Sequence, residues 1–287
     1  MEVIIDTSNQ NSIYDSLEQL LKVKKEFIQY YILRNLNKLK EKYPPQTEIS
    51  IPHFLSFLSE ITHLDMTTIP NFDFITLFHL TTRTSKQIIE KEPLYNLFDA
   101  LTENNELKYR LEKIGLTFYK EKDRLITFFK GNLIDWRSFL NGSESPTAQM
   151  IINRLEGNRF SPPDKCVNGF LFNGDIFENG DVRHIRYLPE IVDNMLRVLG
   201  EQQAIRNLCK EVTPFIITFK ANVGEIIFDG SKKLNIKQTQ YRIIRHCLYY
   251  LCNQYCRSWS EHDNPIVRMI DEQSVSEDRV LNVREVM

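Results

Sequence analysis

The chain has 287 residues, which is enough for one large domain or two smaller ones. Its hydrophobic fraction of 42% and aromatic fraction of 11% supply a packed core and exclude a wholly disordered chain. The 36 basic and 38 acidic residues leave a formal net charge of −2 at pH 7. Because neither sign dominates, this balance excludes a protein that coats nucleic acid through its overall charge.

The N-terminal region is predicted to be helical. Over residues 11–43, apolar and aromatic residues recur at spacings of three and four, which is typical of an amphipathic helix. Pro44-Pro45 predicts the end of this helix. A second amphipathic segment follows Pro52 and continues to Leu64. We therefore expect residues 1–69 to form an N-terminal helical cap.

Residues 72–92, FDFITLFHLTTRTSKQIIEKE, combine an apolar run, a polar patch and a helical pattern. Phe74–Leu77 is rich in β-branched and aromatic residues and is too short for an independent helix, so it predicts a buried strand. Ser85 is the predicted N-cap of a helix with Ile88 and Ile89 on its inner face. A strand that delivers His, Thr and Arg side chains to the start of a helix indicates a small-molecule pocket.

The remaining elements are short and do not alternate strictly between strand and helix. Helices are predicted over 93–113, 147–158, 188–208 with a break near Gly200, and 241–259. Strands are predicted near 116–119 and 124–129 as a hairpin, and near 166–172, 215–219 and 226–228.

This order favours an α+β fold with N-terminal helices, an antiparallel or mixed sheet of about five to six short strands, and a closing C-terminal helix. We expect residues 70–260 to form the α+β domain. The polar residues 261–287 are predicted to be a flexible tail.

The motif Leu77-Phe78-His79, followed by Thr81 and the pair Ile88-Ile89, resembles the opening strand and helix of NAD-dependent ADP-ribosyltransferase folds. The resemblance is to the branch with RNA 2′-phosphotransferases and poly-ADP-ribose polymerase-like domains. Leu80 stands where that family usually has glycine. The resemblance implies a transferase that uses NAD as substrate, with an acceptor that stays unknown. By analogy it also implies a bacterial toxin or phage-defence effector.

The resemblance implies roles for individual residues. His79 would hydrogen-bond the ribose of NAD with Thr81 beside it, and Arg83 would bind the pyrophosphate bidentately. An aromatic side chain of the central hairpin, Tyr119 or Phe128/Phe129, would stack on the nicotinamide.

A glutamate would stabilise the positively charged ribose as nicotinamide leaves. Glu190 and Glu225 are the two candidates for that carboxylate. We name Glu190 as the leading catalytic candidate and Tyr119 as the leading aromatic one. A carboxylate at the predicted helix start of Glu190 is also a usual capping choice.

Two other classes of function fit parts of the chain. The closing helix carries more apolar and aromatic residues than one core-facing stripe needs, so a non-catalytic interaction module, a toxin-system partner or a homodimer through this helix is an alternative. The stretch Arg257-Ser-Trp-Ser-Glu-His262 resembles the Arg-x4-His signature of HEPN ribonucleases. That resemblance implies phosphate binding by Arg257 and acid–base transfer by His262.

Metal and membrane sites are not predicted. The five cysteines include no CxxC pair, which describes neither a zinc ribbon nor a disulfide framework. The sequence has neither an 18-residue apolar run nor an N-terminal pattern of basic and apolar residues typical of secretion. We therefore expect a cytoplasmic protein that needs no metal and has no membrane contact.

Overall fold

The structure is a computed structural model that describes residues 2–39, 50–159, 161–174, 176, 179–180 and 182–286. The predicted helix end at Pro44-Pro45 lies outside these residues. Within them, the N-terminal region is largely helical, as the spacing of its apolar residues predicts. Within the described part of the predicted helix 11–43, the chain forms three helices instead of one. The first ends because Lys22 adopts a left-handed conformation (φ 55°).

Most of the longer helices are amphipathic and bury their apolar residues. They are α1 (Gln10–Leu21), α2 (Lys25–Arg34), α3 (Leu36–Leu39), α4 (Ile51–Thr62), α5 (Lys86–Ile89), α6 (Leu97–Thr102), α7 (Glu106–Lys113), α8 (Ser145–Leu155), α9 (Glu190–Val198), α10 (Gln202–Glu211) and α11 (Ile236–Cys256). Helices α9 and α10 occupy the predicted segment 188–208, and Gly200 (φ 75°) lies between them.

The strands are short apart from β2 and β7. They are β1 (Ile4–Ile5), β2 (Phe74–Arg83), β3 (Leu116–Glu121), β4 (Arg124–Phe129), β5 (Asn132–Leu133), β6 (Asn168–Phe170), β7 (Thr213–Asn222), β8 (Ile226–Phe228), β9 (Ile266–Met269) and β10 (Val280–Glu285). The predicted hairpin is confirmed, because β3 pairs antiparallel with β4 from Leu116↔Phe129 to Glu121↔Arg124.

Among the described residues, the strands form a seven-stranded and a three-stranded sheet. The larger has the order β10-β7-β2-β6-β9-β8 with β1 paired to β2, and the smaller has the order β3-β4-β5. β1 runs parallel to β2, whereas β6 is antiparallel to β2 and β10 is antiparallel to β7. The predicted α+β class with an antiparallel or mixed sheet is confirmed, and the sheets contain more strands than expected.

The chain divides into two compact units, each built from three chain segments. Unit 1 contains Met1–Phe78, Gly169–Asn179 and Lys220–Arg268. Unit 2 contains His79–Asn168, Gly180–Phe219 and Met269–Met287. Each unit therefore joins residues that are distant in the sequence, and neither coincides with the predicted cap 1–69 or the predicted domain 70–260.

The core of unit 1 encloses helix α11. Residues 246–253, more than two turns of this helix, are all buried. The ring of Phe172 stacks on that of Tyr250, with centroids 4.3 Å apart. Burial on several faces accounts for most of the apolar and aromatic residues that the sequence places in this helix.

The core of unit 2 lies between the three-stranded sheet and the helices α6 to α10. Trp136 is fully buried there, and its indole Nε1 donates to Thr127 Oγ1 at 3.0 Å. This bond satisfies the one polar atom of the side chain, which a buried tryptophan needs.

The polar C-terminal residues form strands of the larger sheet, where the sequence predicts a flexible tail over 261–287. β10 pairs with β7 through Val283↔Ile217 and neighbouring residues, and Val283 is buried. A strand at the end of a sheet needs only one partner and one buried face, so a largely polar sequence can form it.

Candidate functional site

Three of the predicted site residues share one face of β2. Successive side chains of a strand point to opposite faces, so His79, Thr81 and Arg83 form a row along one of them. Leu80 belongs to the other face and is buried there. The leucine at the position where ADP-ribosyltransferases usually have glycine therefore lies on the opposite face from His79.

His79 is held in a fixed orientation by a backbone carbonyl. Its Nδ1 lies 2.7 Å from the carbonyl oxygen of Asn168. Because a carbonyl oxygen can only accept, Nδ1 carries the proton and donates. Burial lowers the pKa of His79 to about 4 despite this hydrogen bond, and the charge of Arg83 acts in the same direction. The ring is therefore neutral at pH 7, and its Nε2 is a hydrogen-bond acceptor.

Arg83 turns back onto its own strand. Its Nη1 donates to Thr81 Oγ1 at 2.8 Å and to the carbonyl of Thr82 at 2.9 Å. Burial lowers the pKa of Arg83, and the carboxylates of Glu106 and Glu92 oppose that effect. The cavity beside Arg83 has a volume of about 10 Å³, which is room for about one water molecule. A pyrophosphate contact would require this side chain to leave Thr81.

Glu106, in the first turn of α7, is hydrogen-bonded to the backbone just after β2. Its Oε1 accepts from the N–H of Thr84 at 3.1 Å and lies 3.9 Å from Arg110 Nη1. The side chains of Glu106 and Arg110 are only 10% and 11% exposed. Sequence reasoning missed Glu106, because a glutamate in the first turn after the N-cap Asn105 is a usual helix-start residue.

The predicted catalytic carboxylates lie elsewhere. Glu190 begins α9, where it pairs with Arg154 and lies 4.0 Å from His184 Nε2. Glu225 lies in a short 3₁₀ turn, Val223–Glu225, that belongs to unit 1. Neither carboxylate belongs to the polar row of β2.

Tyr119 lies on β3 of the three-stranded sheet and is 60% exposed. Its ring meets Phe128 edge-on, with centroids 5.5 Å apart. For the described residues, no hydrogen bond, ion pair or ring contact joins Tyr119 or Glu190 to His79. The structure thus brings together His79, Thr81 and Arg83, and it places the other two predicted residues on separate elements.

The two residues of the ribonuclease-like motif do not share a helix. Arg257 adopts φ 52° and ends α11, whereas His262 lies in the 3₁₀ turn Glu261–Asp263. His262 instead lines a cleft within unit 1 that the sequence does not reveal.

That cleft has a volume of about 210 Å³. Its wall combines a cation, a carboxylate, two imidazoles and an amide around an aromatic ring, which are Arg242, Asp229, His246, His262, Asn264 and Phe228. These residues come from β8, α11 and the two turns that flank them. Only their tertiary arrangement brings them to one concave surface.

No protein-family model, curated protein or solved structure matches this chain.

Two properties of the described residues bear on ligands and location. No three His, Cys, Asp or Glu side chains among them lie where they could hold one metal ion. None of the helices in the described ranges combines the length and the apolar character that crossing a membrane demands.

Proposed function

We propose that this protein is an NAD-dependent enzyme of the ADP-ribosyltransferase-like kind, in which His79 binds a ribose hydroxyl of NAD⁺. The observation that carries the proposal is the state of the His79 ring. Its Nδ1 proton is committed to the Asn168 carbonyl and the ring is neutral, so Nε2 presents a lone pair. A ribose hydroxyl can donate a hydrogen bond to that lone pair. A protonated imidazolium has no lone pair and could not accept this hydrogen bond.

The reaction that follows from the proposal breaks the bond between nicotinamide and ribose. Nicotinamide leaves with the bonding electron pair, and the ADP-ribosyl group passes to an acceptor that is not identified. A carboxylate would stabilise the cationic ribose. Glu190 is the predicted carboxylate, and Glu92, which lines the cavity beside Arg83, is a second candidate.

A non-catalytic interaction module is the second candidate function. The observation that favours it is the closed state of the strand end, where Arg83 donates to Thr81 and Thr82. The cavity of about 10 Å³ beside Arg83 is far smaller than a nicotinamide. A scaffold that keeps this strand without using NAD would have the same arrangement.

The experiment that separates the two is calorimetric titration with NAD⁺ together with an assay for nicotinamide release. The test variant is His79→Asn, whose short amide can still donate to the Asn168 carbonyl but lacks the Nε2 acceptor. The control is His63→Asn, because His63 is exposed and its positive φ of 59° is one that asparagine tolerates.

We expect the wild-type protein to bind NAD⁺ and release nicotinamide. His79→Asn should weaken binding by about tenfold or more, as loss of one good hydrogen bond predicts. His63→Asn should change neither quantity, and both variants should melt within a few degrees of the wild type. No binding at millimolar NAD⁺ would contradict the enzyme and leave the interaction module. Equal binding by the wild type and His79→Asn would contradict the role of His79.

A further inference from the structure

We propose that the cleft in unit 1 binds a small phosphorylated molecule that also carries hydroxyl groups, such as a sugar phosphate. In this site Arg242 binds the phosphate and Asp229 accepts hydrogen bonds from hydroxyls. The residues that line the cleft do not include His79, Thr81 or Arg83. This inference therefore does not depend on the function proposed for β2.

Arg242 presents a pre-oriented guanidinium group to the cleft. Its Cζ lies 4.2 Å from the centroid of the Phe228 ring, and its Nη1 donates to Ser231 Oγ at 2.8 Å. The ring and the hydroxyl together restrict the plane of the group. A guanidinium with a fixed plane loses less conformational freedom when its fork of N–H donors binds a phosphate.

His246 supplies a neutral donor beside this cation. It lies one turn after Arg242 on α11, and its ring stacks on Phe228 with centroids 5.2 Å apart and an interplanar angle of 18°. The residue is 2% exposed, and its Nδ1 is buried without a hydrogen-bond partner. Because an unpartnered buried N–H is rarer than an unpartnered lone pair, the proton belongs on Nε2. The enclosed Nδ1 leaves the other edge of the ring to form the cleft wall.

Asp229 supplies a negative charge to the cleft. Its backbone N–H donates to the carbonyl of Ile266 at 2.9 Å, and this bond positions the backbone that carries the carboxylate. A bare inorganic anion gains nothing from a neighbouring carboxylate. A ligand with a phosphate at one end and hydroxyls at the other complements both the positive charge of Arg242 and the carboxylate of Asp229.

Another part of the wall is held by side-chain hydrogen bonds to the backbone. The amide of Asn264 bridges the backbone of Phe172, because Nδ2 donates to the carbonyl at 2.8 Å and Oδ1 accepts from the N–H at 3.0 Å. These bonds hold the turn that also carries His262 and keep the cleft formed. A rigid wall lowers the ordering cost of binding.

The size of the cleft limits the ligand. Its volume of about 210 Å³ is below the 300–1,000 Å³ typical of pockets for drug-sized molecules. A phosphorylated monosaccharide is of the right scale, whereas a dinucleotide would extend far outside. The scale and the mixed charge together favour a sugar phosphate over a nucleotide cofactor.

The test is calorimetric titration of the full chain with three probes: ribose 5-phosphate, inorganic phosphate and ribose. We expect ribose 5-phosphate to bind more tightly than inorganic phosphate, and ribose not to bind measurably. Arg242→Gln should weaken binding of ribose 5-phosphate by about tenfold or more, because a charge-assisted hydrogen bond is lost. The matched control is Lys233→Gln, which removes one exposed positive charge from the loop before α11.

Asp229→Asn is a second variant that separates the two halves of the ligand. It should weaken binding of ribose 5-phosphate while binding of inorganic phosphate stays the same or improves, because the amide carries no negative charge. Equal affinity of the wild type for ribose 5-phosphate and inorganic phosphate would overturn the role of Asp229.

The wild-type titrations decide the proposal even where a variant fails to fold. Absence of binding of both ribose 5-phosphate and inorganic phosphate at millimolar concentration would overturn it. Ribose binding as tightly as ribose 5-phosphate would overturn the phosphate site. Equal weakening by Arg242→Gln and Lys233→Gln would show a non-specific charge effect and would overturn it as well.

Discussion

Burial keeps two histidines of this protein neutral, and their neighbours give them different roles. His79 donates to the Asn168 carbonyl and presents its other nitrogen, whereas His246 stacks on Phe228 with one nitrogen enclosed. Burial, with the charges of Arg242 and Arg245, lowers the pKa of His246 to about 3. Both rings are neutral at pH 7 and available to uncharged hydrogen bonding.

The state of His246 predicts how stability depends on pH. Between its ordinary pKa of about 6.5 and its folded pKa of about 3, the unfolded chain takes up a proton that the folded protein does not. This contribution to stability is complete above pH 6.5 and is lost as the pH falls towards 3. We expect the free energy of unfolding to fall by roughly 2–3 kcal/mol from this group between pH 7 and pH 4.5.

Urea unfolding at these two pH values measures the effect. His246→Gln should lose the contribution, so its free energy of unfolding should depend less on pH than that of the wild type. The exposed control His63→Asn should keep the wild-type dependence. The pKa of His79 is lowered to about 4, so this residue also reduces the free energy of unfolding as the pH falls. His79→Asn should therefore weaken the pH dependence as well. A dependence unchanged in both His246→Gln and His79→Asn would contradict the burial of their rings as neutral groups.

At the scale of the element, β10 shows how a polar segment becomes part of a sheet. A strict alternation would place Leu281 and Val283 on the same face. The pairing with β7 shifts its register between Val280 and Asn282, and Leu281 is 50% exposed whereas Val283 is 6% exposed. Such an irregularity inserts an extra residue and turns the side chains beyond it to the other face. Sequence periodicity cannot anticipate it.

This difference predicts unequal effects of one substitution at two nearby positions. Val283→Asp places a carboxylate in a buried site and should destabilise the protein by roughly 2–4 kcal/mol. Leu281→Asp places the same carboxylate at a half-exposed position, where water can solvate it, and should change stability by less than about 1 kcal/mol. Urea unfolding of both variants at pH 7 checks the prediction. A small effect at both positions would instead agree with a flexible C-terminal segment.

At the scale of the whole molecule, each unit joins segments that are far apart in the chain. Thr7 in unit 1 is fully buried; its N–H donates to Thr76 Oγ1 at 2.8 Å and its hydroxyl to the Thr76 carbonyl at 3.0 Å. The same unit needs the segment Lys220–Arg268. The helical patterns of residues 1–69 predict a boundary near residue 70, but local patterns carry no information about such distant contacts.

The division predicts that residues 70–260 do not fold alone. This fragment lacks β1 and α1 to α4 of unit 1, β10 of unit 2, and β9, whose residues belong to both units. We expect it to show no cooperative thermal transition and little near-ultraviolet circular dichroism, because the core of unit 1 is incomplete and the larger sheet loses β1, β9 and β10. The full chain should show both. A cooperative transition in the fragment would support the sequence-derived boundaries over the observed units.

The sequence by itself determined the α+β class, the central hairpin and the helical N-terminal region, whereas the extension of β2 to Arg83, which aligns His79, Thr81 and Arg83, came from the structure. The class, the hairpin and the helical region follow from local periodicity, turn residues and strand alternation, which act over a few residues. Only the tertiary structure decided the protonation of His79, which depends on a carbonyl 89 residues away. It also decided the pairing of Glu190 with Arg154 and the meeting of Arg242, His246 and Asp229 in one cleft. Burial and electrostatic coupling act between elements that packing brings together, and no local pattern records them.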